Sequence, residues 1–199
     1  MQQVAIVRTG IANLASVQAG LRRAGAEPLV TDDPALVRDA GHVMLPGVGA
    51  FGAAMEVLDG PLGEALVDRI AANRPTLAIC LGMQLLCRSS AESPGVAGLG
   101  VRDAEVTRYP DSVTVPQMGW AKITADPAAQ LLMSGYVYFA NSFRVEAVPD
   151  GWRAATGEYA GRYSAAVERG KVLACQFHPE LSGKYGKHLL RKWIELEAG

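Results

Sequence analysis

The sequence predicts an α/β fold: a mixed, mainly parallel central sheet flanked by helices, with an antiparallel extension. Three observations predict it. Short apolar runs at Val4–Val7, Pro28–Thr31, His42–Leu45 and Thr76–Ile79 alternate with stretches of helical spacing. After about Ser89 the texture changes to short strand-like pieces among glycines. A closing amphipathic stretch follows Ser182.

Each element has its own warrant. Val4–Val7 reads as a buried first strand. Asn13 is placed to cap a helix with apolar positions Leu14, Val17 and Leu21, ending near Gly25. Pro28–Thr31 and His42–Leu45 read as the second and third strands, and the third enters the loop Pro46-Gly47-Val48-Gly49-Ala50-Phe51-Gly52. A helix or two run to about Asn73, and Thr76–Ile79 follows Pro75 as a fourth strand. Leu81, Leu85 and Leu86 then keep a helical spacing. Strand–helix alternation at this spacing implies parallel strands joined by right-handed crossovers.

Beyond Gly95, Gly98 and Gly100, the strand-like pieces are Ala104–Thr107, Ala121–Ile123, Tyr136–Ala140, Arg153–Tyr159, Ser164–Glu168 and Lys171–Phe177. No long helix is expected among them. Pro116–Trp120 and Tyr136–Phe143 are aromatic-rich and turn-like, suited to rim packing, a pocket wall or a partner surface. Ser182 is placed to cap a last helix carrying Leu189, Leu190, Trp193 and Leu196. With no linker, repeat or low-complexity tract, residues 1–199 read as a single domain.

Composition narrows the function classes. At 199 residues, 49% hydrophobic and 20% charged, the chain has the makeup of a soluble globular protein with a sizeable core. A net charge of -1 with no basic run gives no footing for nucleic acid or an anionic membrane. No apolar run approaches the roughly 20 residues needed to span a bilayer, and the first residues do not read as a secretory signal. Three cysteines without a Cys-x-x-Cys pair form neither a disulfide framework nor a zinc site. Reduced thiols in the cytoplasm are the simplest expectation, with no metal and no cofactor.

The chemistry gathers at Cys80, where an apolar strand switches to a helix. A side chain at such a turn stands proud of the sheet, with a helix N-terminus behind it that favours negative charge. A buried apolar role for Cys80 competes with this reading. About a hundred residues on, an apolar strand ends in Gln176-Phe177-His178-Pro179-Glu180. A thiol nucleophile needs a base, and the base needs an orienting group; His178 and Glu180 offer both. Of the other two histidines, His42 begins a strand and reads as structural, while His188 reads as surface. Cys175 reads as strand core. Cys87 reads as core on the Cys80 helix.

Gly47–Gly52 matches G-x-G-x-x-G after a strand, a pattern that cradles dinucleotide phosphates. It follows the third strand rather than the first, Pro46 precedes it, and no acidic residue ends a strand about 20 residues later. The same loop suits backbone N–H groups aimed at an oxyanion, or a plain tight turn.

Taken together, Pro46–Gly52, Cys80-Leu81-Gly82-Met83-Gln84 and His178-Pro179-Glu180 resemble the class I, triad-type glutamine amidotransferases, whose fold is flavodoxin-like. Leu45–Gly52, Pro116–Trp120 and Tyr138–Phe143 most resemble the glutaminase subunits of imidazole glycerol phosphate synthase, over essentially the whole chain. The resemblance implies that Cys80 attacks the side-chain amide of glutamine, that His178 shuttles the proton and that Glu180 orients His178. It implies an oxyanion hole from Leu81 and the Val48–Gly49 loop, and substrate contacts from Gly47, Gln84, Ser142 and Phe143. It also implies a heterodimer with a cyclase subunit that receives the ammonia. The chain departs from the family pattern at Arg8–Asn13, and at Gln117 and Asn141, where the family often has histidine. Three other readings stay open: a glutaminase feeding anthranilate, aminodeoxychorismate or GMP synthesis; a nucleotide-binding α/β module; and a hydrolase of other γ-glutamyl substrates.

Overall fold

The structure is a computed structural model that describes residues 1–10 and 13–198. Strands β1 (Gln2–Val7), β2 (Ala26–Thr31), β3 (His42–Leu45) and β4 (Thr76–Ile79) alternate with helices α1 (Leu14–Ala24), α2 (Pro34–Asp39), α3 (Phe51–Leu58) and α4 (Pro61–Ala71). A one-turn helix α5 (Leu81–Leu85) follows β4. Next come β5 (Cys87–Ser90), β6 (Arg102–Arg108), β7 (Gln117–Ala125), β8 (Gly135–Asn141), β9 (Phe143–Arg144), β10 (Arg153–Glu158), β11 (Arg162–Arg169) and β12 (Val172–Cys175). A 3-10 turn at Pro179–Leu181 leads into the last helix, α6 (Gly183–Ile194).

Nine strands form one sheet in the order β2-β1-β3-β4-β12-β11-β10-β7-β8. From β2 to β12 the pairings are parallel; from β12 to β8 they are antiparallel. This is the expected α/β sheet with its antiparallel extension. A smaller sheet joins β5, β6 and β9.

Alternation along the parallel strands builds two hydrophobic layers, because successive side chains leave opposite faces. Met44, Leu77, Ile79, Leu173 and Cys175 pack on one face with Val17 and Leu21 of α1 and Leu189, Leu190 and Trp193 of α6. Val43, Leu45, Ala78, Val172 and Ala174 pack on the other with Val37, Phe51, Leu62 and Leu66 from α2, α3 and α4. Burying each such side chain contributes about 1.5–3 kcal/mol.

Several sequence expectations meet corrections here. The helix after Cys80 ends at Leu85, and Cys87 opens β5, so Cys87 is not on the Cys80 helix. Gln117–Trp120 is not a turn but part of β7, with Trp120 opposite Tyr138; Tyr136–Ala140 is a strand, as its strand-like reading expects. Ser182 stands at the start of α6 without capping it; its hydroxyl donates to the His178 carbonyl and accepts from the Tyr138 N–H. Asn13 does cap α1, accepting from the Ser16 N–H, and Gly25 ends it at φ 101°. Of the departure at Arg8–Asn13, Ile11 and Ala12 lie outside the described residues.

Candidate active site

Strand register assembles the site. β4 lies between β3 and β12, all parallel, with Leu45 opposite Ala78 and Cys175 opposite Ile79. One step past those pairs, Cys80 is flanked by the Pro46–Ala50 loop on one side and Gln176 on the other. The Cys80 N–H donates to the Cys175 carbonyl at 2.7 Å, locking that register. In parallel α/β sheets, ligands bind at these carboxyl ends of the strands.

Cys80 itself sits at φ 53°, ψ -111°. A non-glycine residue at positive φ stores strain, which persists only where the surroundings enforce it. Here the enforcement is steric. A Cβ on Gly82 would lie 2.1 Å from the Leu45 carbonyl oxygen, so only glycine lets the turn press against β3. Cys80 is buried, with 8% of its surface exposed.

His178 and Glu180 reach the same place from β12. The His178 Nδ1 is 2.8 Å from Glu180 Oε1, and both side chains are more than nine-tenths buried. With Nδ1 taken by the carboxylate, Nε2 is the nitrogen left to face Cys80. Burial alone lowers the pKa of His178, but hydrogen bonds and charge from Cys80 and Glu180 outweigh it and push it up to about 10. Glu180 is held from behind by α1, where Arg23 donates to its carbonyl and Gly20 leaves room for its side chain.

Two cavities of about 210 Å³ each adjoin this group. The first holds Cys80 together with Val48, Gly49, Leu81, Gln84, Ser142 and Phe143, all expected site residues. The second is lined by Gly47, His178 and Glu180, with Pro46 and Leu181, so Gly47 borders this cavity rather than the one that holds Cys80. Val48 and Ala140 border both. The Leu81 N–H, expected to face an oxyanion, donates to the Gly47 carbonyl at 3.4 Å.

A buried thiol held against an imidazole that carries a proton, with a carboxylate behind it and a cavity in front, is equipped for acyl transfer through a thioester. The comparisons agree with that chemistry. A family model described as glutamine amidotransferase class-I matches residues 12–196. The chain belongs to the class-I glutamine amidotransferase family. The amidotransferase is 42% identical over 196 residues to "Imidazole glycerol phosphate synthase subunit HisH" of Methanothermobacter thermautotrophicus, covering 97% of this chain and 98% of that one. It is 40% identical to the protein of the same name from Symbiobacterium thermophilum, covering 97% and 93%. A crystal structure titled as a glutamine amidotransferase superposes with TM-score 0.77 at 20% identity, covering 96% of this chain and 97% of that one, which supports the fold.

The other two thiols of the amidotransferase differ from Cys80. Cys87 and Cys175 are fully buried, and burial pushes both thiols up, away from the reactive thiolate. His42 is structural, set between Gln2 and the Trp193 carbonyl, and His188 is exposed. None of the described helices is long and apolar enough to cross a membrane.

Two residues at the site carried no role in the sequence reading: Gln176 touches the Cys80 sulfur, and Glu92 lines the Cys80 cavity. Asn141, inside the stretch read as a possible pocket wall, lines that cavity too. Parity was a usable signal for Gln176: along an extended segment, residues 176 and 178 leave the same side. Glu92 follows β5 in a turn whose position depends on long-range packing, and nothing local announces it.

Proposed function

We propose that the chain is the glutaminase subunit of imidazole glycerol phosphate synthase, supplying ammonia to a cyclase subunit in histidine biosynthesis. The meeting of Cys80 with the His178–Glu180 pair, where two cavities adjoin, carries the glutaminase chemistry. The named relatives at 40–42% identity over 97% of the chain support the choice of synthase. The cytoplasm is the compartment this reading implies.

The Cys80 sulfur attacks the side-chain amide carbon of glutamine. His178 gives its proton to the departing ammonia while Glu180 holds the ring, and a γ-glutamyl thioester remains on Cys80. Water, activated by the now neutral His178, cleaves the thioester to glutamate. Gln84, Ser142 and Phe143 border the substrate, and Glu92 is the carboxylate among the cavity-lining residues that matches its α-ammonium group. Leu81 serves as an oxyanion donor once its N–H leaves the Gly47 carbonyl. Turning the Gly47–Val48 peptide opens that bond and swings the Val48 N–H toward the same spot. One such donor is worth about 10²–10³ in rate, so a chain that awaits this turn is slow until its partner engages.

The test is glutamate release from glutamine by the chain alone, and with the cyclase subunit loaded with its nucleotide. Strong stimulation supports both halves of the reading. Fast release without stimulation keeps the Cys80 chemistry and discards the synthase. No release in either setting discards both.

A further inference from the structure

The Cys80 sulfur has a second neighbour besides the imidazole. Gln176 is fully buried, with no exposed surface, one residue past the end of β12. Its backbone is pinned there, the N–H donating to the Ala165 carbonyl at 2.8 Å. Its side-chain Nε2 lies 3.8 Å from the Cys80 sulfur, and its Oε1 accepts from Gln84 Nε2 at 3.0 Å.

Hydrogen-bond accounting fixes which way this amide points. Gln84 Nε2 also donates to the Phe143 carbonyl at 3.2 Å, an atom that can only accept. Reversing the Gln84 amide would set two acceptors face to face, so its nitrogen must point toward Phe143 and Gln176. Gln176 must then offer Oε1 to Gln84, and its NH₂ group is left facing the sulfur. Neutral and unable to take the proton, this donor favours sulfur in its negative form by hydrogen bonding alone.

We propose that Gln176 is a positioning residue for the nucleophile: its amide holds the Cys80 sulfur and ties it, through Gln84, to the Phe143 wall of the cavity. The role in glutamine hydrolysis rests on the glutaminase reading; the hold on the sulfur does not. Flanked by the His178 imidazole and a fixed amide donor, the sulfur is held at the wall of its cavity. The chain of bonds from Phe143 through Gln84 and Gln176 gives the cavity wall a direct mechanical link to the attacking atom.

The test is alkylation of Cys80 by iodoacetamide in the full-length chain, with the modified peptide read by mass spectrometry. Gln176→Met keeps length and loses the donor. Its alkylation rate at pH 7 is expected to fall about tenfold, with the gap to wild type closing near pH 10, where thiols ionise without help. A purely packing role slows both pH values alike, so a pH-independent deficit, or no deficit, overturns the proposal. Should Gln176→Met fail to fold, Gln84→Met tests the same relay by freeing the Gln176 amide. It is expected to slow alkylation at pH 7 about threefold, and an unchanged rate there overturns the relay. Neither measurement involves glutamine or a partner. A chain that shows the expected alkylation pattern but releases no glutamate rejects the glutaminase reading and leaves the hold on the sulfur standing.

Discussion

His178 Nδ1 stands 2.8 Å from Glu180 Oε1, while Glu180 Oε2 is buried without a hydrogen-bond partner among the described residues. The carboxylate thus spends one oxygen on the imidazole, and its remaining charge acts on the ring rather than on competing donors. Glu180→Gln keeps the shape and removes the charge. Glutamine hydrolysis should drop about 10²-fold, less than for His178→Ala, because orientation is only part of the barrier. Equal losses in the two variants would place Glu180 in the proton transfer itself. Steady-state kinetics with the cyclase present distinguishes the outcomes.

The same pair makes stability depend on pH. The folded His178 is raised from 6.5 to about 10, so the folded chain binds its proton more tightly than the unfolded chain does. That contribution is full below about pH 6.5 and is lost as pH rises through about 10. The stability gap between wild type and His178→Asn, measured by urea unfolding, should therefore shrink from pH 6 to pH 10 by more than about 1 kcal/mol. A gap that stays constant over this range would mean that His178 holds no extra proton in the fold.

Gly20 sits in α1 where a Cβ would lie 2.7 Å from the Cβ of Glu180 and 3.3 Å from its Cα. In an open helix Gly→Ala stabilises by up to about 1 kcal/mol; here the methyl must push Glu180 away from His178. Gly20→Ala should lower kcat for glutamine hydrolysis by roughly tenfold or more, since sub-ångström errors in catalytic geometry are costly. Wild-type turnover with a raised melting temperature would show that the turn carrying Glu180 yields freely.

How much of this was legible in the sequence depended on how local each signal is. Cys80, His178 and Glu180 could be found because a strand-to-helix switch and a strand end are short-range patterns. The Gln117–Trp120 strand was missed because Pro116 and Gly119, the latter at φ 118°, carry turn chemistry inside a region that tertiary pairing makes extended. Cys87 was misplaced because no glycine or proline marks the end of α5; the chain turns there to pair β5 with β6, a contact about fifteen residues distant that leaves no local trace.

Cys87→Ala and Cys175→Ala separate packing from chemistry. Both thiols are fully buried and away from the cavities. Each variant should keep turnover within about twofold and lose roughly 1–2 kcal/mol of stability. Native-state alkylation should modify Cys80 and leave the other two until the chain unfolds. Loss of activity in either variant, with the fold intact, would remove Cys80 from its place as sole nucleophile.

The β7–β8 hairpin carries an exposed apolar face: Met118 is 68% exposed, Trp120 56% and Tyr136 62%. Trp120 stacks edge-on against Tyr138, its partner in register, and the row continues to Ala140, which borders both cavities. An apolar patch that leads into the reaction site is a fitting surface for the proposed cyclase, and a central tryptophan is the kind of anchor that dominates such contacts. Trp120→Ala should weaken cyclase binding about 10–100-fold by calorimetric titration, a loss of about 1.4–2.8 kcal/mol. The isolated chain should change in stability by no more than about 0.5 kcal/mol, since the ring is half exposed. Lys122→Ala, also exposed on this face opposite Tyr136, should change binding far less. Unchanged affinity on losing Trp120 would move the docking surface elsewhere, and the ammonia would then have to leave the site by another side than the one Ala140 borders.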